Sequence, residues 1–343
     1  MTIETTLMRK EILEIPSVTR ELLGSGRAAI AAAAKGISDA DPWLVATVAR
    51  GSSDHVAKYL KYACELSLGV PVASIGPSVA SIYGAELKLG NAACIAISQS
   101  GKSPDIVSLA ASATARNAVS VAITNDAASP LAGACRSVVP ICAGVEASVA
   151  ATKTFVTSAV AGLAVVAEWS GDARLAAAIE ALPGCFEEAV GIDWPELREF
   201  LRERSSLYVL GRGPSLAISN EAALKFKETC QIHAESYSSA EVMHGPVSIV
   251  EEGYPVLAFT ARDAAEAAVV SVADRLAGQG AAAFVTSDRA RAARRLEFAA
   301  TGHALTDPLA LIVSFYAFIE KLAADRGINP DTPRHLRKVT ETV

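Results

Sequence analysis

The sequence predicts an α/β protein of two tandem domains, each a parallel sheet with helices on both faces. Three observations lead there. The chain has 343 residues, more than one hydrophobic core usually spans. Short apolar runs alternate with helical patterns, as in parallel strands joined by crossover helices. Landmarks of the first half recur in the second at a constant spacing.

The elements justify this in chain order. Leu44-Val-Ala-Thr-Val-Ala-Arg50 is an apolar strand; Gly51-Ser52-Ser53 turns the chain, and a helical pattern follows to Glu65. Ala93-Cys-Ile-Ala-Ile-Ser98 and Val119-Ser-Val-Ala-Ile-Thr124 are the next strands. In the second half, Leu207-Tyr-Val-Leu-Gly-Arg212 leads into Gly213-Pro214-Ser215 and a helical pattern to Glu228. Pro255-Val-Leu-Ala-Phe-Thr260 and Ala281-Ala-Ala-Phe-Val-Thr286 complete the set. Arg50 and Arg212, Ser98 and Thr260, and Thr124 and Thr286 each lie 162 positions apart, which points to duplication. The first domain is expected over 27–170 and the second over 194–325. The linker contains Leu182-Pro183-Gly184 and Asp193-Trp194-Pro195. Ligands of such sheets bind beyond the carboxyl ends of the strands, where the strand order reverses.

The composition, 51% hydrophobic and 20% charged, describes a packed globular chain. The net charge of −6 argues against a general nucleic-acid or membrane-surface binder. An anionic ligand must therefore be held by a local site. The six cysteines form no C-x-x-C pair, so zinc and dithiol readings are weak and buried free thiols in a reducing, cytoplasmic compartment fit best. Met1 to Arg20 has no apolar core of a signal peptide. The uncharged stretch Thr154 to Ala167 falls short of the roughly 20 residues of a membrane span and reads as a buried helix.

Two segments carry chemistry. Ser98-Gln-Ser-Gly-Lys-Ser103-Pro104 is a hydroxyl-rich turn entering a helix, with Pro104 near the first helical position. Free N–H groups at a helix start suit a phosphate dianion, although simple capping explains the serines too. The duplicated turn, Thr260-Ala-Arg-Asp263, lacks the serine cluster, so the fold itself does not require it. In 220–245, Glu221, Lys225 and Glu228 share one helical face by their i, i+4, i+7 spacing. A solvated salt-bridged face is the ordinary reading, but Leu224, Phe226 and Ile232 interrupt plain amphipathicity. His244-Gly-Pro246 fixes a histidine at a loop tip. The basic tail beyond 327, ending near Arg337-Lys338, is either solvated or a lid that brings a lysine to an anion.

Together these segments resemble the sugar isomerase (SIS) domain family, most of all the isomerase half of the glutamine–fructose-6-phosphate aminotransferases. The matching stretches are Ser98-Gln-Ser-Gly101, Val149-Ala-Ala-Thr-Lys153, Glu221-Ala-Ala-Leu-Lys225-Phe-Lys-Glu228, Ile232-His-Ala-Glu235, His244-Gly-Pro246 and Pro333-Arg-His-Leu-Arg-Lys338. The resemblance implies two tandem SIS domains of the doubly wound, flavodoxin-like kind, with the tail 327–343 over the active site. It implies that Ser98, Gln99, Ser100 and Ser103 hold the phosphate and that Ser52 and Val149 line the sugar. Glu228 would move a proton between C1 and C2, and Lys225 and Glu221 would complete its polar network. His244 would assist ring opening from the partner subunit of a homodimer. Lys338 would contact or covalently engage the open-chain carbonyl. No metal or organic cofactor is implied.

Three departures qualify the likeness. Ala151 stands where the aminotransferases have serine, and Met243 where they have lysine before the histidine. They also carry an amino-terminal glutaminase domain that opens on a nucleophilic cysteine, whereas this chain begins Met1-Thr2-Ile3. The expectation is isomerase chemistry without ammonia drawn from glutamine: deamination of glucosamine 6-phosphate to fructose 6-phosphate. The rivals are a plain aldose–ketose isomerase, a fructosamine-6-phosphate deglycase and a non-catalytic sugar-phosphate sensor.

Overall fold

The structure, a computed structural model, describes residues 5–336 and 338. The rest of the expected tail lies outside the described residues. Two helices, α1 (Leu7–Ser25) and α2 (Arg27–Ala40), precede the first sheet. Then come β1 (Val45–Val48), α3 (Ser52–Leu68), β2 (Val72–Ser74), α4 (Ser78–Ser81), β3 (Ala93–Ile97), α5 (Pro104–Ala115), β4 (Val119–Thr124), α6 (Pro130–Ala134) and β5 (Ser137–Pro140). Three helices follow, α7 (Lys153–Ser170), α8 (Ala173–Ala189) and α9 (Pro195–Leu201). The second sheet is built from β6 (Ser206–Gly211), α10 (Pro214–Cys230), β7 (His233–Ser238), β8 (Pro255–Ala258), α11 (Glu266–Gly278), β9 (Ala282–Val285) and β10 (Arg294–Arg295), and α12 (Asp307–Asp325) closes the order.

Both sheets are parallel throughout. The first runs β2-β1-β3-β4-β5 and the second β7-β6-β8-β9-β10. This is the same order twice, and each reverses direction between its first and third strands, the switch point where α/β sheets place ligands. The six strands named from the sequence are all present. Every residue of β1, β3, β8 and β9 is buried, because helices cover both faces of a parallel sheet. The duplication extends to backbone angles. Gly51 and Gly213, each following the first strand of its sheet, adopt φ 56° and 60° with ψ −134° and −138°. That region is open only to glycine without strain.

The chain divides into two compact units. One comprises Ser17–Glu146, Lys153–Glu180 and, of the tail, Lys338; it holds the first sheet. There α5 lays Ile106, Leu109, Ala110 and Ala113 on Ala46, Val48, Cys94, Ala96 and Ala122. The other comprises the described residues up to Pro16, Ala147–Thr152 and Ala181–Leu336. There α11 lays Val269, Val270, Ala273 and Leu276 on Tyr208, Leu210, Val256, Ala258, Ala283 and Val285. The opposite side carries an aromatic cluster of Trp194, Phe226, Phe259, Phe315 and Phe318.

Lys153 to Ala167 of α7 is buried along its whole length, as the uncharged stretch led one to expect. Among the described residues no helix is long and apolar enough to cross a membrane. The expected linker stretch Leu182-Pro183-Gly184 is helical and lies inside α8. Proline removes one helical hydrogen bond. Burial of Ile179, Leu182 and Phe186 offsets that loss and keeps the helix continuous.

Candidate active site

The phosphate-loop candidate follows β3, at the switch point. Ser98 Oγ accepts from Gly101 N–H at 3.2 Å, and Ser100 Oγ accepts from Lys102 N–H at 3.3 Å. Gln99 C=O accepts from Asn125 N–H and Gly101 C=O from Leu131 N–H, which pins the loop to its neighbours. Gly101 has φ +62°, and a Cβ there would collide with the side chain of Ser129, so no other residue fits the turn. Pro104 is the first residue of α5. Ser103 precedes it but makes no side-chain cap, so capping does not account for this hydroxyl. Ser52 opens α3 directly after Gly51, past the end of the first strand of the same sheet. Arg50 pairs with the buried Asp105 and so ties the turn after β1 to the start of α5.

In the same unit, a cleft of about 590 Å³ is lined by Glu21, Gln99, Asn125, Cys142, Gly144, Val145 and Glu146. Its size suits a small ligand. Lys338 Nζ lies 2.7 Å from Glu146 Oε2. Glu146 is buried and also accepts from Thr154 N–H at 3.1 Å and Thr154 Oγ1 at 2.6 Å. Sequence reasoning singled out Lys338 but missed Glu146. The only sequence signal for it was an acid standing just before the Val149-Ala-Ala-Thr-Lys153 run. A smaller cavity of about 170 Å³, with Arg27 and Glu180 among its lining, holds none of the site candidates.

The acid–base candidates belong to the other unit. On α10, Lys225 Nζ lies 2.6 Å from Glu228 Oε2 and 3.2 Å from Glu221 Oε1, and Tyr316 Oη donates to Glu221 Oε1 at 3.1 Å. The side chains of Glu221 and Lys225 are 0% and 1% exposed, that of Glu228 20%. The face is therefore not a solvated one: α12 buries two of its three charges and leaves the third at the edge. Burial alone pulls the Lys225 ammonium down, but the Glu221 carboxylate, then Glu228 and their hydrogen bonds, outweigh it and hold its pKa above the ordinary lysine value. Lys225 is thus a fixed cation against Glu228, not a proton donor near neutrality. His244 is exposed at the end of a 3-10 turn, Glu241–His244, whose Val242 is buried, and takes no part in these hydrogen bonds. Val149 is half-buried in the short irregular segment before α7. Among the described residues no cluster of three or more His, Cys, Asp or Glu is placed to hold a metal.

Comparison with known proteins agrees with this architecture. The SIS domain family matches residues 44–167 and 200–292. A glutamine–fructose-6-phosphate aminotransferase [isomerizing] of Pyrobaculum aerophilum is 34% identical over 71% of this chain and 42% of its own. That of Symbiobacterium thermophilum is 30% identical over 96% of this chain and 58% of its own. The chain thus spans about half the length of these curated relatives. Among solved structures, a protein of Silicibacter pomeroyi DSS-3, provisionally named a phosphosugar isomerase, is 60% identical, covers 95% of this chain and 100% of that chain, and has a TM-score of 0.93. A glucosamine-6-phosphate deaminase of Thermotoga maritima shares the fold at 20% identity, covering 98% and 100%, with a TM-score of 0.77. With two parallel sheets of one strand order and matches to both halves, the chain belongs to the SIS (sugar isomerase) domain family.

Proposed function

We propose that the protein is a phosphosugar isomerase whose substrate is an amino sugar, and that it converts glucosamine 6-phosphate to fructose 6-phosphate and ammonia. The observation that carries the reading is the buried Lys225 cation held between Glu221 and Glu228. It leaves a partly exposed carboxylate with fixed orientation, as a base working on two adjacent carbons requires. The names of the aminotransferase relatives support the choice of an amino sugar.

In the proposed reaction the loop of Ser98, Gln99, Ser100 and Ser103, at the start of α5, holds the phosphate through its hydroxyls. His244 assists ring opening. Glu228 takes the C2 proton, which the C1 aldehyde acidifies, and the proton is returned to C1. This leaves an imine at C2, and water cleaves it to the ketone and ammonia. Lys338 engages the open-chain carbonyl from the tail. The working form is a homodimer in which His244 serves the neighbour's site. Six free cysteines support a reducing, cytoplasmic compartment.

A second reading, simple aldose–ketose isomerisation with the same base, is favoured by the name of the 60%-identical Silicibacter protein. One assay separates the two: incubate the protein with glucosamine 6-phosphate, glucose 6-phosphate and a fructosamine 6-phosphate, and measure ammonia and ketose phosphate. Ammonia and fructose 6-phosphate in equal amounts from the first substrate are expected. Ketose without ammonia from glucose 6-phosphate would favour the second reading. Tight binding with no product from any of them would make the protein a sensor.

A further inference from the structure

The first turns of α1 lie ahead of both repeats, yet they are fastened at several points. Thr6 Oγ1 donates to Glu320 Oε1 at 2.8 Å. Asp331 accepts from the N–H groups of Leu7 and Met8 at 2.7 and 2.8 Å, capping the helix start. Further along the same helix, Glu11 is only 5% exposed. Its carboxylate accepts from Ala147 N–H, from Ser148 N–H at 3.1 Å and from the Ser148 hydroxyl.

Glu11 stands among Met8, Ile12 and Ile15, all fully buried. An apolar side chain there would bury without the desolvation cost of a carboxylate. The carboxylate instead receives its hydrogen bonds from two consecutive residues of one irregular segment. That segment runs on from Gly144, Val145 and Glu146 of the 590 Å³ cleft and leads directly into Val149. Without regular secondary structure of its own, its backbone depends on such side-chain acceptors for a defined path.

We propose that Glu11 is a positioning residue for sugar recognition: it fixes the Ala147–Ser148 backbone and thereby presents Val149 to the sugar. This rests on the sugar-phosphate reading and adds the amino-terminal helix to the binding apparatus. Because Glu11 acts on the segment that leads into Val149, the sugar-lining residue that the family resemblance implies, and not on the loop after β3, it should govern affinity for the sugar portion and leave the phosphate contact alone.

The test is titration calorimetry of full-length wild type, Glu11→Ala and Glu11→Gln with fructose 6-phosphate and, separately, with inorganic phosphate, alongside thermal melts. Loss of charge-assisted hydrogen bonds of this kind should raise the Kd for fructose 6-phosphate about tenfold or more in Glu11→Ala. The Kd for inorganic phosphate should be unchanged. Glu11→Gln keeps the size and one acceptor oxygen, so it should fall between. If the alanine variant does not fold, the glutamine variant decides by the same comparison. Equal weakening of both ligands, or of neither, overturns the inference while leaving the proposed function standing. Wild type that binds neither fructose 6-phosphate nor phosphate overturns both.

Discussion

Replacing Lys225 by methionine removes the cation from between Glu221 and Glu228 while keeping much of its volume. Breaking a buried ion pair by deleting one partner typically costs about 3–5 kcal/mol, because a charge is left uncompensated. Tyr316 still donates to Glu221, which offsets roughly 1 kcal/mol. The expected loss is therefore about 2–4 kcal/mol. Urea unfolding followed by circular dichroism measures it. The double variant Glu221→Leu/Lys225→Met should recover much of the loss, since replacing a whole buried pair by apolar groups is often close to neutral. The lysine pKa is higher folded than unfolded. Its stabilisation is thus fully present below the unfolded value of about 10.4 and fades only as pH rises through the still higher folded value. The gap between wild type and Lys225→Met should consequently not shrink on the lysine's account between about pH 7 and 9. A single variant that loses less than about 1 kcal/mol, or a double variant worse than the single, would refute the buried-pair argument.

Four further outcomes are expected. Glu228→Gln keeps the size but cannot accept a proton, so kcat should fall by about 10²–10⁴-fold with little change in KM; normal turnover would end the acid–base assignment. Ser100→Ala/Ser103→Ala should raise KM for sugar phosphate strongly, each lost bond to the charged group being worth about 1.5–3 kcal/mol, and an unaltered KM would remove this loop from phosphate binding. Inactive Glu228→Gln and His244→Ala proteins, mixed under conditions of verified subunit exchange, should regain part of the activity; no recovery would mean that each site draws on one chain alone. Burial pushes the thiols of Cys64, Cys94 and Cys230 up to about 12, so iodoacetamide near pH 8 should spare them in the folded protein and label them after unfolding, as mass spectrometry of the peptides would report.

The sequence by itself determined the elements whose signals are local. Apolar runs such as Ala93-Cys-Ile-Ala-Ile97 read as buried parallel strands because both their faces are covered. The constant 162-residue spacing exposed the duplication, and Pro104 marked the start of α5. The face shared by Glu221, Lys225 and Glu228 followed from helical geometry alone. Tertiary structure decided what local pattern cannot. The edge strand β7, His233–Ser238, is mostly polar and only partly buried, so only its pairing with β6 reveals it. Whether the α10 charges face water or protein depends on α12, whose Tyr316 is 95 positions from Glu221. Pro183 argued for a break, but burial on both sides of it held α8 together. Glu146 and Glu11 carried no motif. Lys338 lies 192 positions from Glu146, and Ser148 137 positions from Glu11; a carboxylate's worth at such a position is set by which donors the fold brings to it after water has been excluded.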